Sequence, residues 1–460
     1  MRSRLLILTI GIFLISCSNG LRKDTQEQTN KEIKSQKATI QLNFVGHWLY
    51  QAKREDLVRE ISNEYEFLNQ HCKVNLLFPE DIYYSRSKPD CEAEFVKDQL
   101  LAEKSKYDII RINDAYLNIG LYMKDMDWAK KYLVDFSQYP EFISSTMPEL
   151  VNDSAKAKWK GIIPGPYLEG YNYSIWYNRN LAKEIGLNIK QFEMKADDLI
   201  QYVKAINDYN KSHNTNIIPI HECADWSTIN ILAYRLFISE LDNWHESLTD
   251  SYNEKKLNAF HKTLKVFEEL AKYKAYSKDW KSTEFMTSLD LPLKHKSFFY
   301  INASWMYNYW QKVDNVEALN MVPNELPVFK SSDVYFGGYS VMWAVPKNAP
   351  HRDEAVKFLL AMSKPDVAEK WSRYTKCPTG IKGNITSVSF GKDQFEDFTY
   401  NIDKRYGFNK LSFNYLDNNM IVGVSKRNVN LHLIDVGLGL MSADEAMADL
   451  RKQLKNYKSK

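Results

Sequence analysis

Apolar residues along this chain fall into two alternating rhythms. Ile40, Leu42 and Phe44 recur every second residue, the period of a half-buried strand. Leu57, Val58, Ile61, Tyr65 and Leu68 then recur at the three- and four-residue spacing of a helix face. The cycle repeats. The run from Lys73 to Phe78 predicts a strand, Phe95, Val96, Leu100 and Leu101 predict a helix, and YDIIRI (Tyr107 to Ile112) predicts a third strand. Such alternation argues for an α/β fold with right-handed crossovers and a mostly parallel sheet. Ligands of such sheets sit beyond the carboxyl ends of the strands. Here those ends are Gly46-His47-Trp48 and Asn113-Asp114-Ala115-Tyr116.

The rhythm changes in KWKGIIPGPYLEGYNYSIWYNRN, where prolines and glycines interrupt an extended run, and a change of domain is expected near Pro166. Ser174 to Tyr177 predicts a buried strand. Helical stripes follow over Asp197 to Tyr209, Trp226 to Leu241 and Leu257 to Tyr273, with the strand Ile217 to Ile220 between the first two. Ser297 to Trp310 begins as a strand and opens a helix. VYFGGYSVMWAVP (Val334 to Pro346) is a strand that carries two adjacent glycines, Gly337 and Gly338. Glycine weakens a strand interior, so the pair implies a bend or a close backbone approach. Asp353 to Met362 predicts a helix, and Pro365 suits the first turn of the next. Ser442 and Glu445 stand at capping-box spacing, so the chain is expected to end on a helix.

The N-terminus changes the picture of where the protein works. Arg2 and Arg4 precede an apolar run from Leu5 to Ile15, shorter than the roughly 20 residues of a membrane span. This is the form of a signal peptide, residues 1–16. Ser18 to Lys37 has almost no apolar residues and is expected to be a solvated tether. Net charge is +3 and becomes +1 without the leader, which gives no basic face for nucleic acid. With 44% hydrophobic residues and 62 aromatic side chains, the mature chain has ample material for large cores and for flat stacking surfaces. Four cysteines follow Cys17. Cys72 and Cys91 share one short segment, and a local disulfide between them is expected. Cys223 and Cys377 are either a second pair or free thiols.

Enzyme motifs are missing or incomplete. His221-Glu222 begins an HExxH pattern, but the fifth residue is Asp225. There is no GxSxG, no P-loop and no CxxC. Glu222 and Asp225, three residues apart, crowd one face, whereas a glycosidase needs carboxyls flanking the bond.

Four stretches in order, YDIIRINDAY, YNYSIWYNRNLAKEIGL, INASWMYNYW and FGGYSVMWAVPKNAPHRDEAVKFLLAMS, resemble the extracellular solute-binding proteins of bacterial ABC importers. The similar group is the sugar-binding family 1, which includes the periplasmic maltose-binding protein, and the resemblance covers Thr39 to Leu454. Leu14-Ile15-Ser16-Cys17 resembles the bacterial lipobox, which implies lipidation of Cys17 and a membrane-anchored lipoprotein, periplasmic or cell-surface. The resemblance implies a two-lobed periplasmic-binding-protein fold with discontinuous lobes and a hinge. Its N-terminal lobe is expected over 38–166 plus 299–348, its C-terminal lobe over 167–298 plus 349–460, with 17–37 as lipidated tether. It further implies a monomer that captures a carbohydrate between the lobes by hinge closure and delivers it to ABC permease subunits, without catalysis, metal or cofactor. Strand ends and crossings then supply the ligand contacts: His47, Trp48, Asp114, Tyr116, Tyr171, Glu222, Asp225, Trp226, Trp305, Gly337, Gly338, Tyr339 and Arg373. Aromatic rings suit the C–H faces of a sugar, and carboxylates, amides and Arg suit its hydroxyls. The alternatives are a ligand-sensing lipoprotein reporting to a receptor kinase and a glycoside-processing enzyme.

Overall fold

The computed structural model describes residues 40–46, 52–79, 90–113, 115–224, 231–245, 253–382, 394–407, 409–411, 420–421 and 424–458. The first strand–helix cycles form as their periodicities demand. β1 (Ile40–Val45) leads through α1 (Ala52–Leu68) to β2 (Cys72–Leu77), which lies parallel to it in the register Ile40 to Cys72. α2 (Cys91–Leu101) returns the chain to β3 (Ile110–Arg111), and a parallel bridge from Phe44 to Ile109 joins this segment to β1.

From Glu169 the chain builds a second sheet. Its elements are β4 (Glu169–Asn178), β5 (Ile218–His221), α3 (Ile231–Glu240), α4 (Glu254–Lys272), β6 (Ser297–Ala303), α5 (Met306–Val313), β7 (Met321–Asn324) and β8 (Tyr335–Ser340). The chain then returns to the first sheet. β9 (Trp343–Ala344) pairs antiparallel with β3, and α6 (Arg352–Met362) and α7 (Pro365–Thr375) follow it. Last come α8 (Gln394–Tyr406), β10 (Lys410–Leu411), α9 (Lys426–Gly437) and α10 (Ala443–Lys458). The second sheet has the order β10-β8-β4-β6-β5, with β7 also on β4. β4 is antiparallel to β6, β7 and β8, so this sheet is mixed, not mostly parallel.

Two large cores divide the molecule. One gathers Leu42, Phe44, Val58, Ile109, Trp128, Trp159, Trp343, Phe358 and Trp371. The other gathers Tyr173, Leu199, Phe237, Phe260, Phe299, Phe336, Leu433 and Leu450. The amphipathic stripe of α4 shows what such a face contributes. Leu257, Phe260, Leu264, Phe267 and Leu270 are all buried, each stabilising by about 1.5–3 kcal/mol. Asn253 caps its N-terminus by accepting from the Lys256 amide at 2.7 Å. At the chain's end the capping box forms as read: the Glu445 amide donates to Ser442 Oγ and the Ser442 amide to Glu445 Oε2.

These cores correct the lobe boundaries. The segment 299–340 belongs to the second lobe, because β6 sits between β4 and β5 and β8 pairs with β4. The segment 349–382 belongs to the first, where Phe358 packs edge-on to Phe44 and Tyr65, and Trp371 to Trp343. The described crossings fall at Leu168–Glu169 and Ser340–Val341, and α8 packs against β7 of the second lobe. Hydrophobic periodicity shows that a helix buries a face. It does not show against which sheet.

The expected bridge between Cys72 and Cys91 is a second correction, since all four described cysteines are free thiols. Cys72 begins β2 and Cys91 begins the helix that returns after β2. In a strand–crossover–helix unit those two starts lie at opposite ends of the sheet, about a strand length of 17–20 Å apart. A disulfide needs Cα atoms within about 7 Å.

Candidate functional site

Where β4 leaves the first lobe, polar side chains of both lobes meet in a buried seam. Arg54, in the first turn of α1, forms an ion pair with Glu169, the first residue of β4, at side-chain exposures of 2% and 7%. The other guanidinium arm donates to Cys377 Sγ at 3.2 Å, and Ser304 Oγ donates to the same sulfur at 3.4 Å. Asn308 of α5 reaches the first lobe by donating to the Thr375 carbonyl at 2.9 Å. Burial opposes the Arg54 charge, but Glu169 and Cys377 outweigh it and leave the pKa raised. Burial pushes the Cys377 thiol up as well.

Beside this seam lies an aromatic platform. Trp305 follows β6, opens α5 and is half-buried. Its ring stands 5.2 Å from Tyr171 and 5.7 Å from Tyr173. Tyr171 and Trp305 were both read from sequence as ligand contacts, and the fold brings them together from residues 134 positions apart. Tyr339, at the end of β8 near the crossing, accepts from Lys410 Nζ at 3.3 Å, and burial pushes its phenol up to about 12.

The glycine pair has a different neighbour from the one expected. Gly337 pairs with Asn172 and Gly338 with Tyr171, inside the ladder between β8 and β4 and not at an open turn. A Cβ on Gly337 would stand 2.5 Å from the Tyr171 carbonyl oxygen and 2.8 Å from Asn172 Oδ1. What approaches Gly337 is the next strand and its amide side chain.

Three further expectations change place. Tyr116 packs in the first core, stacked on Trp128 and edge-on to Trp159, with its hydroxyl donating to the Met126 carbonyl. Glu222 is fully buried and accepts from the Ile231 amide at 3.2 Å, at the N-terminus of α3. Burial raises its pKa well above the usual carboxyl range, which favours its neutral form. Arg373 is exposed and paired with Glu369 one turn before it on α7. His47, Trp48, Asp114, Asp225, Trp226 and Cys17 lie outside the described residues. The sequence reading missed Arg54, Glu169, Asn172, Ser304 and Cys377. They come from four distant segments, and only Asn172 carried a local signal, a polar residue within the apolar strand YNYSIWYN opposite a glycine.

Known proteins place this architecture. Residues 105–395 match the family described as bacterial extracellular solute-binding protein. The apo form of RafE from Streptococcus pneumoniae superposes with a TM-score of 0.64 at 16% identity, over 93% of this chain and 100% of that one. A sugar transporter protein from Bacillus licheniformis in complex with stachyose gives 0.57 at 16% identity, over 91% and 100%. The GacH receptor of Streptomyces glaucescens gives 0.60 at 14% identity, over 91% and 99%. A search of curated protein sequences gives no match. At these identities the likeness is one of fold, two α/β lobes joined by crossings. Since the family match spans well over half of its residues, the chain belongs to the bacterial extracellular solute-binding proteins.

Proposed function

We propose that this protein captures a carbohydrate between its lobes and delivers it to the permease of an ABC importer, making and breaking no bond. The observation that carries this reading is the Tyr171–Trp305 platform at the crossing, beside a seam lined with hydrogen-bonding groups. Flat rings and polar groups at one junction are the two contacts a sugar requires. The structural neighbours support it: RafE is solved in complex with raffinose, a sugar transporter protein with stachyose and GacH with acarbose. Tyr171, Trp305 and Tyr339 are proposed as ligand contacts, with His47, Trp48, Asp114, Asp225 and Trp226 completing the cleft from strand ends. Opening and closing is a hinge motion at the crossings. Export through residues 1–16 and lipidation of Cys17 hold the protein at a membrane surface; among the described residues no helix is long and apolar enough to cross one.

A thermal-shift screen over neutral and acidic oligosaccharides, amino acids and peptides tests this, because a ligand that binds only the folded chain raises the midpoint. A shift with one class of sugar is expected. Silence across the sugars, with a shift from another solute, overturns the carbohydrate reading. Trp305→Ala should weaken the identified sugar at least tenfold, about the loss of 1.4 kcal/mol.

A further inference from the structure

We infer that Asn172 is a ligand-binding residue whose carboxamide meets two adjacent hydroxyls of a neutral sugar. The inference rests on the carbohydrate reading above and names the chemistry at one point of that site. Asn172 is the fourth residue of β4, fully buried, and neither its Nδ2 nor its Oδ1 has a hydrogen-bond partner within the protein. Buried side-chain amides are normally paired, because an unmet donor or acceptor loses its water for nothing.

The amide's position is built, not incidental. Its backbone is fixed from both sides by Ser304, whose Oγ accepts from the Asn172 amide at 3.3 Å and whose amide donates to the Asn172 carbonyl at 2.9 Å. Ser304 in turn contacts Cys377, and Cys377 contacts Arg54, so the carboxamide stands on the interlobe seam. Gly337 makes room for it: Oδ1 lies 2.8 Å from where any larger residue would place its Cβ. The same seam holds a second unmet acceptor on a buried side chain, Asn308 Oδ1.

The chemistry of the missing partner follows. An amide offers one donor group and one acceptor at fixed separation, which adjacent sugar hydroxyls satisfy together. The charges described in the seam, Arg54 and Glu169, neutralise one another. A carboxylate or ammonium on the ligand would therefore be buried there without a counter-charge, which favours a neutral ring. The lobes must part for the sugar to enter, and the hydroxyls then complete the seam as they close.

The test uses the full chain and the sugar found by the screen. Calorimetry should show Asn172→Ala binding about ten- to a hundredfold more weakly, with the melting temperature of the unliganded protein unchanged or raised. Monodeoxy analogues sharpen it. The wild type should reject the analogue lacking a hydroxyl met by Asn172, and Asn172→Ala should bind that analogue and the parent sugar alike. An affinity within twofold of wild type means that the amide is met by ordered water alone and overturns the inference. A uniform loss for every analogue, with a lowered melting temperature, means a structural amide and overturns it too. If the alanine variant does not fold, Asn172→Ser and the side-chain NH2 resonances of labelled wild type answer the same question; a resonance unmoved by saturating sugar refutes it. These failures differ from failure of the carbohydrate reading, in which the wild type itself binds no sugar.

Discussion

Arg54→Met is the most informative single change in this molecule. It leaves the Glu169 carboxylate buried at the junction of the lobes with its counter-charge gone. Breaking one half of a buried pair costs about 3–5 kcal/mol. The protein has two ways to limit that cost. It can protonate Glu169, which for a carboxyl of ordinary pKa near 4.3 costs about 3.7 kcal/mol at pH 7 and about 1 kcal/mol at pH 5. Or it can part the lobes and let water reach the carboxylate. Urea unfolding should therefore show a loss of about 3–4 kcal/mol at pH 7 that shrinks to about 1 kcal/mol at pH 5. If opening is the cheaper route, the stability loss is smaller and small-angle scattering reports a larger radius of gyration without ligand. Adding Glu169→Gln removes the stranded charge, so the double variant should recover most of the loss. A loss below 1 kcal/mol at both pH values, with an unchanged radius and additive single effects, would falsify the seam as an energetic junction between the lobes.

Four further outcomes follow from named contacts. Burial lowers the His221 pKa from 6.5 to about 4, so between those values the unfolded chain takes up a proton that the folded chain refuses. Stability is then lost as pH falls through that window, by about 3 kcal/mol in all, and the difference should vanish in His221→Gln when melting is followed from pH 7 to 4. Glu222 behaves oppositely: burial raises its folded pKa, so the unfolded chain ionises first and stability is lost as pH rises above 4.5. Glu222→Gln should raise the melting temperature increasingly as pH rises above 5, and a flat difference refutes the buried acid. Gly337→Ala drives a Cβ against the Tyr171 carbonyl, a backbone atom that cannot rotate away, and should cost about 1–3 kcal/mol in urea unfolding. A reductant should leave the melting temperature unchanged, and in the native protein Cys91 should react with Ellman's reagent before the buried Cys72, whose thiol burial pushes up to about 11. Fewer than four thiols on titrating the unfolded mature chain without Cys17 contradicts the free cysteines.

Much of this protein was legible in its sequence because much of it is local. Period two and period three-to-four located β1, α1, β2 and α4, the capping box at Ser442 formed as spelled, and the ordered stretches led to the right family. The site was legible only in part. Tyr171 and Trp305, proposed as ligand contacts, were named from strand ends and crossings, and the fold brings their two rings together. The burial of Tyr116 and Glu222 was not legible, since a tyrosine or a carboxyl after a strand looks the same in sequence whether it is exposed or buried.

What the sequence determined by itself was therefore the elements, their order and the family, all of which rest on interactions between near neighbours or on ordered local pattern. The tertiary structure decided which sheet each element joined, and so moved residues 299–340 to the second lobe and 349–382 to the first. It left Cys72 and Cys91 as free thiols, one opening a strand and the other the helix that follows it. It also assembled Arg54, Glu169, Asn172, Ser304 and Cys377 into one seam. The physical reason is common to all three: burial of a face is visible in the chain, but its partner is chosen by packing across the whole molecule. Gly337 is the plainest case, a residue whose meaning lies in the amide of Asn172 on the neighbouring strand.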